Sequence, residues 1–270
     1  MNLSKGNNSA VRTSAVLLFC ASALLISPAN ADEPEYEQAG GPPLGFSAGL
    51  GMITSNPSYV GMNADVLVVP FVGYEGEKYY FRGLSFGRHI IRNRQHQFSA
   101  ILAIEPFRFK PEESRNEQIQ QLNRRKFSLG AGLNYRYNSV YGSITSSFNT
   151  DISGRHNGQR LRVRYSLPLN RPGQVWQLSP EIGFNIVSKD YVRYYFGVDA
   201  VEAQRSGLQE YRGNHAISPE IGIGGYYMFT ENLSVNGNLS FSRSDSAIAN
   251  SPMVSSRSAR SIIFVLSYRF

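Results

Sequence analysis

Residues Arg260 to Phe270 read Arg-Ser-Ile-Ile-Phe-Val-Leu-Ser-Tyr-Arg-Phe. Stepping back in twos from Phe270 collects Tyr268, Leu266, Phe264 and Ile262, whereas the other register collects Arg269, Ser267, Val265, Ile263 and Ser261. One face is wholly apolar or aromatic and the other is mixed. Side chains on a strand alternate with a period of two, so the pattern is that of a β-strand with one apolar face. Its length matches the roughly 9 to 11 residues that a tilted strand needs to cross a bilayer. A single alternating segment is a weak signal that an ordinary C-terminal strand of a soluble sheet can also carry, so the rest of the chain has to decide between the two.

The start of the chain reads as an export signal. Lys5 and Arg12 supply a basic beginning, Ala15 to Ile26 is an almost wholly apolar run, and Ala29-Asn30-Ala31 is a small-x-small cleavage site. Residues 1–31 are therefore expected to be a secretory signal peptide, with Asp32 opening the mature chain. The single cysteine, Cys20, lies inside this signal behind Phe19, a residue too large for a lipoprotein cleavage site. The mature chain thus has neither disulfides nor thiolate metal ligands.

About 240 mature residues suffice for one large domain or a barrel of about ten to twelve strands. The net charge of +7 includes Lys5 and Arg12 of the signal, and what remains is too mild to argue for nucleic acid, which is not expected as a partner. After the signal, no apolar run reaches the roughly 18 residues that a membrane helix requires. A chain of this kind that spans a membrane must do so as a closed barrel, because only closure satisfies every backbone hydrogen bond in lipid. A polar lumen also accounts for a composition that is only 41% hydrophobic.

Asp32 to Pro43 is an acidic, Pro- and Gly-containing lead-in, and the barrel is expected over residues 44–270. In the first strand Leu44, Phe46, Ala48, Leu50 and Met52 alternate with Gly45, Ser47, Gly49 and Gly51. A loop over Thr54 to Asn63 leads to an apolar strand from Val66 to Tyr74. A turn at Glu75-Gly76 is followed by a strand from Tyr79 to Phe86 and a basic connection from Arg88 to Gln97. Phe98 to Ile104 alternates again, and Lys110 to Arg125 reads as a charged, solvated loop. Phe127 to Tyr137 is the clearest alternation in the middle of the chain, returning over Val140 to Asn149 after a turn at Asn138-Ser139.

In the next strand Arg160, Arg162 and Arg164 share one face and Leu161, Val163, Tyr165 and Leu167 the other. Arginines facing lipid cost roughly 2 to 4 kcal/mol each near the midplane, so these three are expected to face the lumen. A turn at Arg171-Pro172-Gly173 precedes a strand with Trp176, Leu178, Ile182, Phe184 and Ile186 outward. The pentapeptide Ser179-Pro180-Glu181-Ile182-Gly183 recurs as Ser218-Pro219-Glu220-Ile221-Gly222. Glu181 and Glu220 are then inward carboxylates able to pair with the inward arginines, as buried charges generally must. After a turn at Glu231-Asn232, Leu233, Val235, Leu239 and Phe241 face outward. About eleven strands are evident, and because single-chain bacterial barrels have even numbers the expectation is an all-β antiparallel barrel of about twelve, with ten as the alternative. Tyr191 to Phe196 is the candidate for the missing strand. Abundant Tyr and Phe, 16 of each, suit interfacial girdles.

Catalytic signals are weak. Gly45-Phe46-Ser47-Ala48-Gly49 matches a nucleophile-elbow pattern but lies inside an alternating strand instead of a strand-to-helix turn. His89, His96, His156 and His215 are expected in or beside loops, unlinked to any triad, and the spacing of His89 and His96 is not that of a metal site. No catalytic residue, metal or cofactor is assigned.

From Tyr194 to Tyr211 the chain reads Tyr-Tyr-Phe-Gly-Val-Asp-Ala-Val-Glu-Ala-Gln-Arg-Ser-Gly-Leu-Gln-Glu-Tyr. Asp199 and Glu202 form a capping-box pair for a short helix that Gly207 can end. This segment, through Phe196, Gly197, Val198, Ala203, Ser206, Gly207, Leu208 and Tyr211, resembles the MipA/OmpV family of outer-membrane proteins. Ser251 and Pro252, and the ending Tyr268-Arg269-Phe270, carry the same resemblance. It implies a β-barrel in the outer membrane of a Gram-negative bacterium, surrounded by outer-membrane lipid. The insertion machinery would read its terminal strand at Phe264, Leu266, Tyr268 and Phe270. It further implies a non-catalytic scaffold that binds a membrane-bound lytic transglycosylase and a bifunctional penicillin-binding protein of peptidoglycan metabolism. Alternative roles are a narrow pore for solutes or antibiotics, with the lumenal arginines favouring anions, and an adhesin acting through its outer loops.

Overall fold

The computed structural model describes residues 44–55, 59–63, 65–170 and 173–270. The expected signal peptide, the acidic lead-in and the Arg171-Pro172 part of one turn lie outside them. Twelve strands follow one another around a closed antiparallel barrel. They are β1 (Gly45–Ser55), β2 (Asp65–Glu75), β3 (Tyr79–Arg82), β4 (Ser85–Arg92), β5 (His96–Glu105) and β6 (Ser128–Ser139). Then come β7 (Gly142–Asp151), β8 (Gln159–Ser166), β9 (Trp176–Val187), β10 (Ala216–Met228), β11 (Leu233–Arg243) and β12 (Ser258–Arg269). Pairing of β1 with β12, from Ser47 opposite Arg269 to Ser55 opposite Ser261, closes the ring.

The outward face follows the apolar register of each strand. Phe46, Leu50, Val68, Phe184, Ile221, Phe264 and Leu266 are all exposed on the outside, where lipid is the solvent. The turn end, which carries Gly45 and Arg269, has an outer rim of Tyr74, Tyr79, Tyr135, Tyr137, Trp176, Tyr227 and Tyr268, all exposed. Aromatic rings with a polar tip collect where headgroups meet hydrocarbon. In outer-membrane barrels short turns face the periplasm and long loops face outward, which orients the molecule.

The strand count matches the expected twelve, but the missing strand is elsewhere. Tyr79 to Phe86 is not one strand. The backbone reverses at Gly83, at φ 60, to make the short hairpin β3–β4. The basic stretch Arg88 to Gln97, expected to be a connection, instead supplies the second half of β4, a tight turn and the start of β5. Tyr191 to Phe196 belongs instead to the helix α2 (Lys189–Phe196), whose buried Tyr191, Val192, Tyr195 and Phe196 recur at helical spacing. Ser188 caps it by accepting from the Tyr191 amide. The aromatic content that suggested a strand serves a helix because the apolar positions repeat at three to four residues, not two.

Lys110 to Arg125 is likewise not a solvated loop. It contains a 3-10 turn (Pro111–Glu113) and α1 (Glu117–Gln120), and it buries Ile119, Leu122 and Arg125 beside the buried Phe109 that precedes it. Two more helices, α3 (Ala200–Ser206) and α4 (Ser246–Ala249), sit in the other long loops. The hydrophobic core therefore lies at the loop end of the barrel. Tyr59, Phe109, Ile119, Leu122, Tyr191, Val192, Tyr195, Phe196, Val198, Ile248 and Met253 form one cluster contributed by four loops. Those loops arise from strand pairs spaced right around the ring, so they can meet only by crossing the mouth. A fully buried side chain of this size stabilises by roughly 1.5 to 3 kcal/mol, enough to hold the loops as a folded cap.

Candidate functional site

The repeated pentapeptide builds the centre of the lumen. Its two copies lie on neighbouring antiparallel strands, with Glu181 opposite Gly222, Ile182 opposite Ile221 and Gly183 opposite Glu220. Each carboxylate thus faces a glycine of the other copy. A Cβ on Gly183 would stand 3.3 Å from Glu220 Oε1, and one on Gly224 would stand 3.0 Å from Glu181 Oε1. The glycines leave the room that the carboxylates occupy.

On β8 the three alternating arginines meet these acids. Arg162 donates from Nε to Glu220 Oε1 at 2.9 Å and from Nη2 to Oε2 at 2.6 Å, a two-pronged geometry. Arg164 bridges the two carboxylates, at 3.0 Å from Nη1 to Glu181 Oε2 and 3.3 Å from Nη2 to Glu220 Oε1. Asn238 adds a donor to Glu181 at 2.9 Å. Arg160 donates instead to the Asn185 amide oxygen at 2.8 Å. The arrangement is a cross-linked charged belt spanning β8 to β11. It contains no His or Cys, and among the described residues no group of His, Cys, Asp and Glu is set to hold a metal.

A second lumenal cluster escaped the sequence reading. Glu75, 6% exposed, accepts from Arg82 Nε at 3.0 Å and Nη2 at 2.8 Å, lies 3.0 Å from His89 Nε2, and lies 3.5 Å from Arg92 Nη1. His89 also reaches Ser99 Oγ, so it is a buried lumenal residue and not the expected loop histidine. No local spacing marks this cluster, because Glu75, Arg82 and the His89–Arg92 pair come from three different strands, in stretches expected to be a turn, one strand and a connection.

The residues that carry the family resemblance sit in the loop cap. Asp199 caps α3 in a full capping box with Glu202, and Gly207 ends the helix at φ 72. Val198 and Tyr211 form an antiparallel bridge that closes the base of the α3 loop. Gly197 donates its amide to Arg193 O and closes α2, and a Cβ there would lie 2.2 Å from that oxygen. Ser206 Oγ, buried, donates to Glu202 O. Ser251 Oγ donates to Phe196 O at 2.6 Å, Tyr211 to Ala247 O, and Tyr59 to Tyr195 O, which join the loops across the mouth. Pro252 and Ala203 are half-buried, and Ala203 packs against the cluster. Burial pushes the Tyr59 hydroxyl well up and that of Tyr191 up to about 12, so both stay protonated at neutral pH.

One ion pair ties this cap together. Arg125 Nη2 donates to both Glu202 oxygens at 2.9 Å, and the same carboxylate accepts from the Asn123 amide at 2.7 Å. Glu202 is 1% exposed. Its capping role was legible in the sequence; its partner across the mouth, 77 residues away, was not.

His156, in the β7–β8 loop, is buried against Tyr191 and Tyr195. Its Nδ1 accepts from the Gly158 amide at 3.0 Å, which leaves Nε2 to carry the proton toward Ser128 Oγ at 3.1 Å. Burial lowers its pKa, opposed by Asp151 and Glu105. A depressed histidine contributes stability above its unfolded value near 6.5 and loses it as pH falls through the folded value. Acidification from pH 7 to 5 is therefore expected to lower the protection factor of the Gly158 amide, the ratio of its intrinsic to its observed exchange rate at the same pH, several-fold in wild type. His156→Phe should remove this dependence, and a wild-type protection factor that is the same at both pH values would refute the assignment.

A profile of the family described as MltA-interacting protein MipA matches residues 48–270. The MltA-interacting protein of Escherichia coli strain K12 is 29% identical over 225 residues, covering 83% of this chain and 90% of that protein. Outer membrane protein Omp26La of Vibrio anguillarum is 27% identical over 152 residues, covering 56% of this chain and 58% of that one. Outer membrane protein OmpV of Vibrio cholerae is 26% identical over 152 residues, with the same coverage of 56% and 58%.

Proposed function

The chain belongs to the MltA-interacting protein MipA family of outer-membrane β-barrels, and from that membership we propose that it is a non-catalytic docking scaffold for murein-processing enzymes. The partners are a lytic transglycosylase of the MltA kind and a bifunctional penicillin-binding protein, held at the periplasmic face of the outer membrane. The observation that carries this reading is the turn end. At the tip of the β6–β7 hairpin Val140 is 92% and Tyr141 79% exposed. Leu169, Val175 and Phe229 on the neighbouring turns are also exposed. Exposed apolar side chains that gather on one face mark surfaces that another protein or the membrane covers, and at turn tips facing the periplasm we take the partner to be a protein.

The narrow-pore reading draws less support, because the folded cap crosses the loop-end mouth and the charged belt cross-links the lumen below it. The adhesin reading draws less as well, because the loop residues that carry the family motif are engaged in holding the cap together.

The test is a pull-down from detergent-solubilised envelopes, with the mature barrel as bait and an unrelated barrel of similar size as control. Selective recovery of both enzymes, lowered about tenfold by Val140→Ser with Tyr141→Ser, is the expected result. Recovery of neither enzyme by wild type would reject the scaffold.

A further inference from the structure

The wall of the barrel is uneven. On the side away from β1, β2 is paired with β3 only at Gly73, Tyr74 and Glu75, opposite Arg82, Phe81 and Tyr80. The β3–β4 hairpin then turns, and the Gly83 amide donates to Val72 O at 3.0 Å. Beyond that turn β2 continues toward the loop end, paired with β1 along its whole length, from Gly45 opposite Glu75 to Ser55 opposite Asp65. Its other edge, from Val66 to Phe71, meets no strand among the described residues. At about 3.3 Å per residue this open edge is about 20 Å long. Pro70, which has no amide hydrogen to offer a ladder, lies within it.

Backbone groups at bilayer depth are tolerated without a ladder partner only where protein covers them or they border a water-filled cavity. Among the described residues no strand covers this edge, so its exposed backbone groups call for water, which the lumen supplies to the notch. Its position on the loop-end half of the wall places it in the outer leaflet.

The lumen beside the notch is unusual for such a barrel. The inward residues of β2 are Leu67, Val69 and Phe71, and they adjoin Gly51 and Ile53 on β1 and Ile263 and Val265 on β12. Ile263 is 38% exposed, to the lumen and not to lipid. The Phe71 ring lies against Gly83 at the sill of the notch, where a Cβ would meet it at 3.5 Å. Outer-membrane lumens are ordinarily polar, so an accessible apolar wall needs an occupant. In a ring of twelve strands β8 stands opposite β2, and β6 opposite β12. The far wall is thus that of Arg136, Arg160, Arg162 and Arg164. Arg160 and Arg136 are bonded to the neutral acceptors Asn185 and Thr145, with no carboxylate within ion-pair distance among the described residues.

We propose that this two-sided lumen is a binding site for a single-chain anionic amphiphile, taken up from the outer leaflet through the notch beside β2. Its hydrocarbon chain lies on Leu67, Val69, Phe71 and Val265, and its anionic head points across the lumen to Arg160.

The experiment uses the mature barrel in phosphatidylcholine vesicles and a sixteen-carbon fatty acid with a mid-chain diazirine, with adducts located by mass spectrometry. Adducts on the inward residues Leu67, Val69 and Val265, alongside those that lipid contact gives on outward Val66, Val68 and Phe264, are the expected result. Inward labelling should fall about three- to tenfold with the corresponding diazirine alcohol, and likewise in Arg160→Gln. Adducts confined to outward residues would overturn the site, and equal inward labelling by acid and alcohol would overturn the role of the anionic head. Amide-exchange protection over 66–71 as strong as that of β1 would mean the edge is paired, which would overturn the notch.

Discussion

Replacing Glu202 with Ala is expected to unfasten the loop cap while the barrel wall stays intact. The substitution strips Arg125 of its only charged partner among the described residues, the Asn123 amide of an acceptor, and α3 of half its capping box. Removing one member of a buried pair leaves an uncompensated charge, at a cost of roughly 3 to 5 kcal/mol. The barrel itself is held by strand ladders that Glu202 does not touch, so the loss should stay local. Hydrogen exchange should rise about a hundredfold or more over 106–127 and 189–215, with little change in β9 or β10. The double variant Arg125→Leu with Glu202→Leu tests the physical cause, because exchanging both partners for apolar residues of similar bulk often costs little. Partial recovery of protection is expected there. If Glu202→Ala alone leaves cap exchange as in wild type, the pair is not what fastens the loops. Arg125 Nε is buried without a partner among the described residues, which fits a pair that sets how the loops register more than one that adds net stability.

Glu75→Gln should act with similar force at the other end of the molecule. Three cationic or basic side chains, Arg82, His89 and Arg92, converge on this carboxylate, and they come from β3 and β4. This hairpin, held by four residue pairs within itself, meets β2 through three pairs only, whereas every other pair of neighbouring strands is matched over seven or more positions. The carboxylate therefore reinforces the weakest seam in the ring. Neutralising it leaves mutually repelling charges in a partly dry lumen, for roughly 3 to 5 kcal/mol of lost stability. Urea unfolding in detergent should show a lower midpoint, and amide exchange should rise first in β3 and β4. Adding Arg82→Gln should restore part of the loss by removing one orphaned charge. An unchanged midpoint, or exchange that rises evenly around the barrel, would show that the seam does not depend on Glu75.

Both residues lie where reading the sequence was least successful. Each strand with a clean apolar register was legible from its own residues, because side-chain direction on a strand follows from covalent geometry and lipid demands an apolar outer face. That is why Arg160 to Leu167 could be oriented without knowing its neighbours. The β3–β4 hairpin was obscured because Gly83 reverses the chain inside what looked like one run of Tyr and Phe. The helix α2 was obscured because Tyr and Phe favour strands in general and only their spacing says otherwise. The capping box at Asp199 is local, and so it was readable; the Arg125 that completes it arrives through the folding of a different loop.

By itself the sequence determined the class of this protein: an exported chain whose alternating strands can satisfy their backbones in lipid only by closing on themselves. It also determined which face of each strand is wet, since a charge facing hydrocarbon costs several kcal/mol. Only the tertiary structure decided what the loops do, and that the family motif fastens a cap. It alone decided which carboxylate meets which arginine, and that one edge of β2 is left without a strand partner among the described residues, beside an apolar lumen wall. Those outcomes depend on contacts between residues tens to more than a hundred positions apart, such as Tyr59 with Tyr195 across 136 residues, for which a one-dimensional pattern has no register.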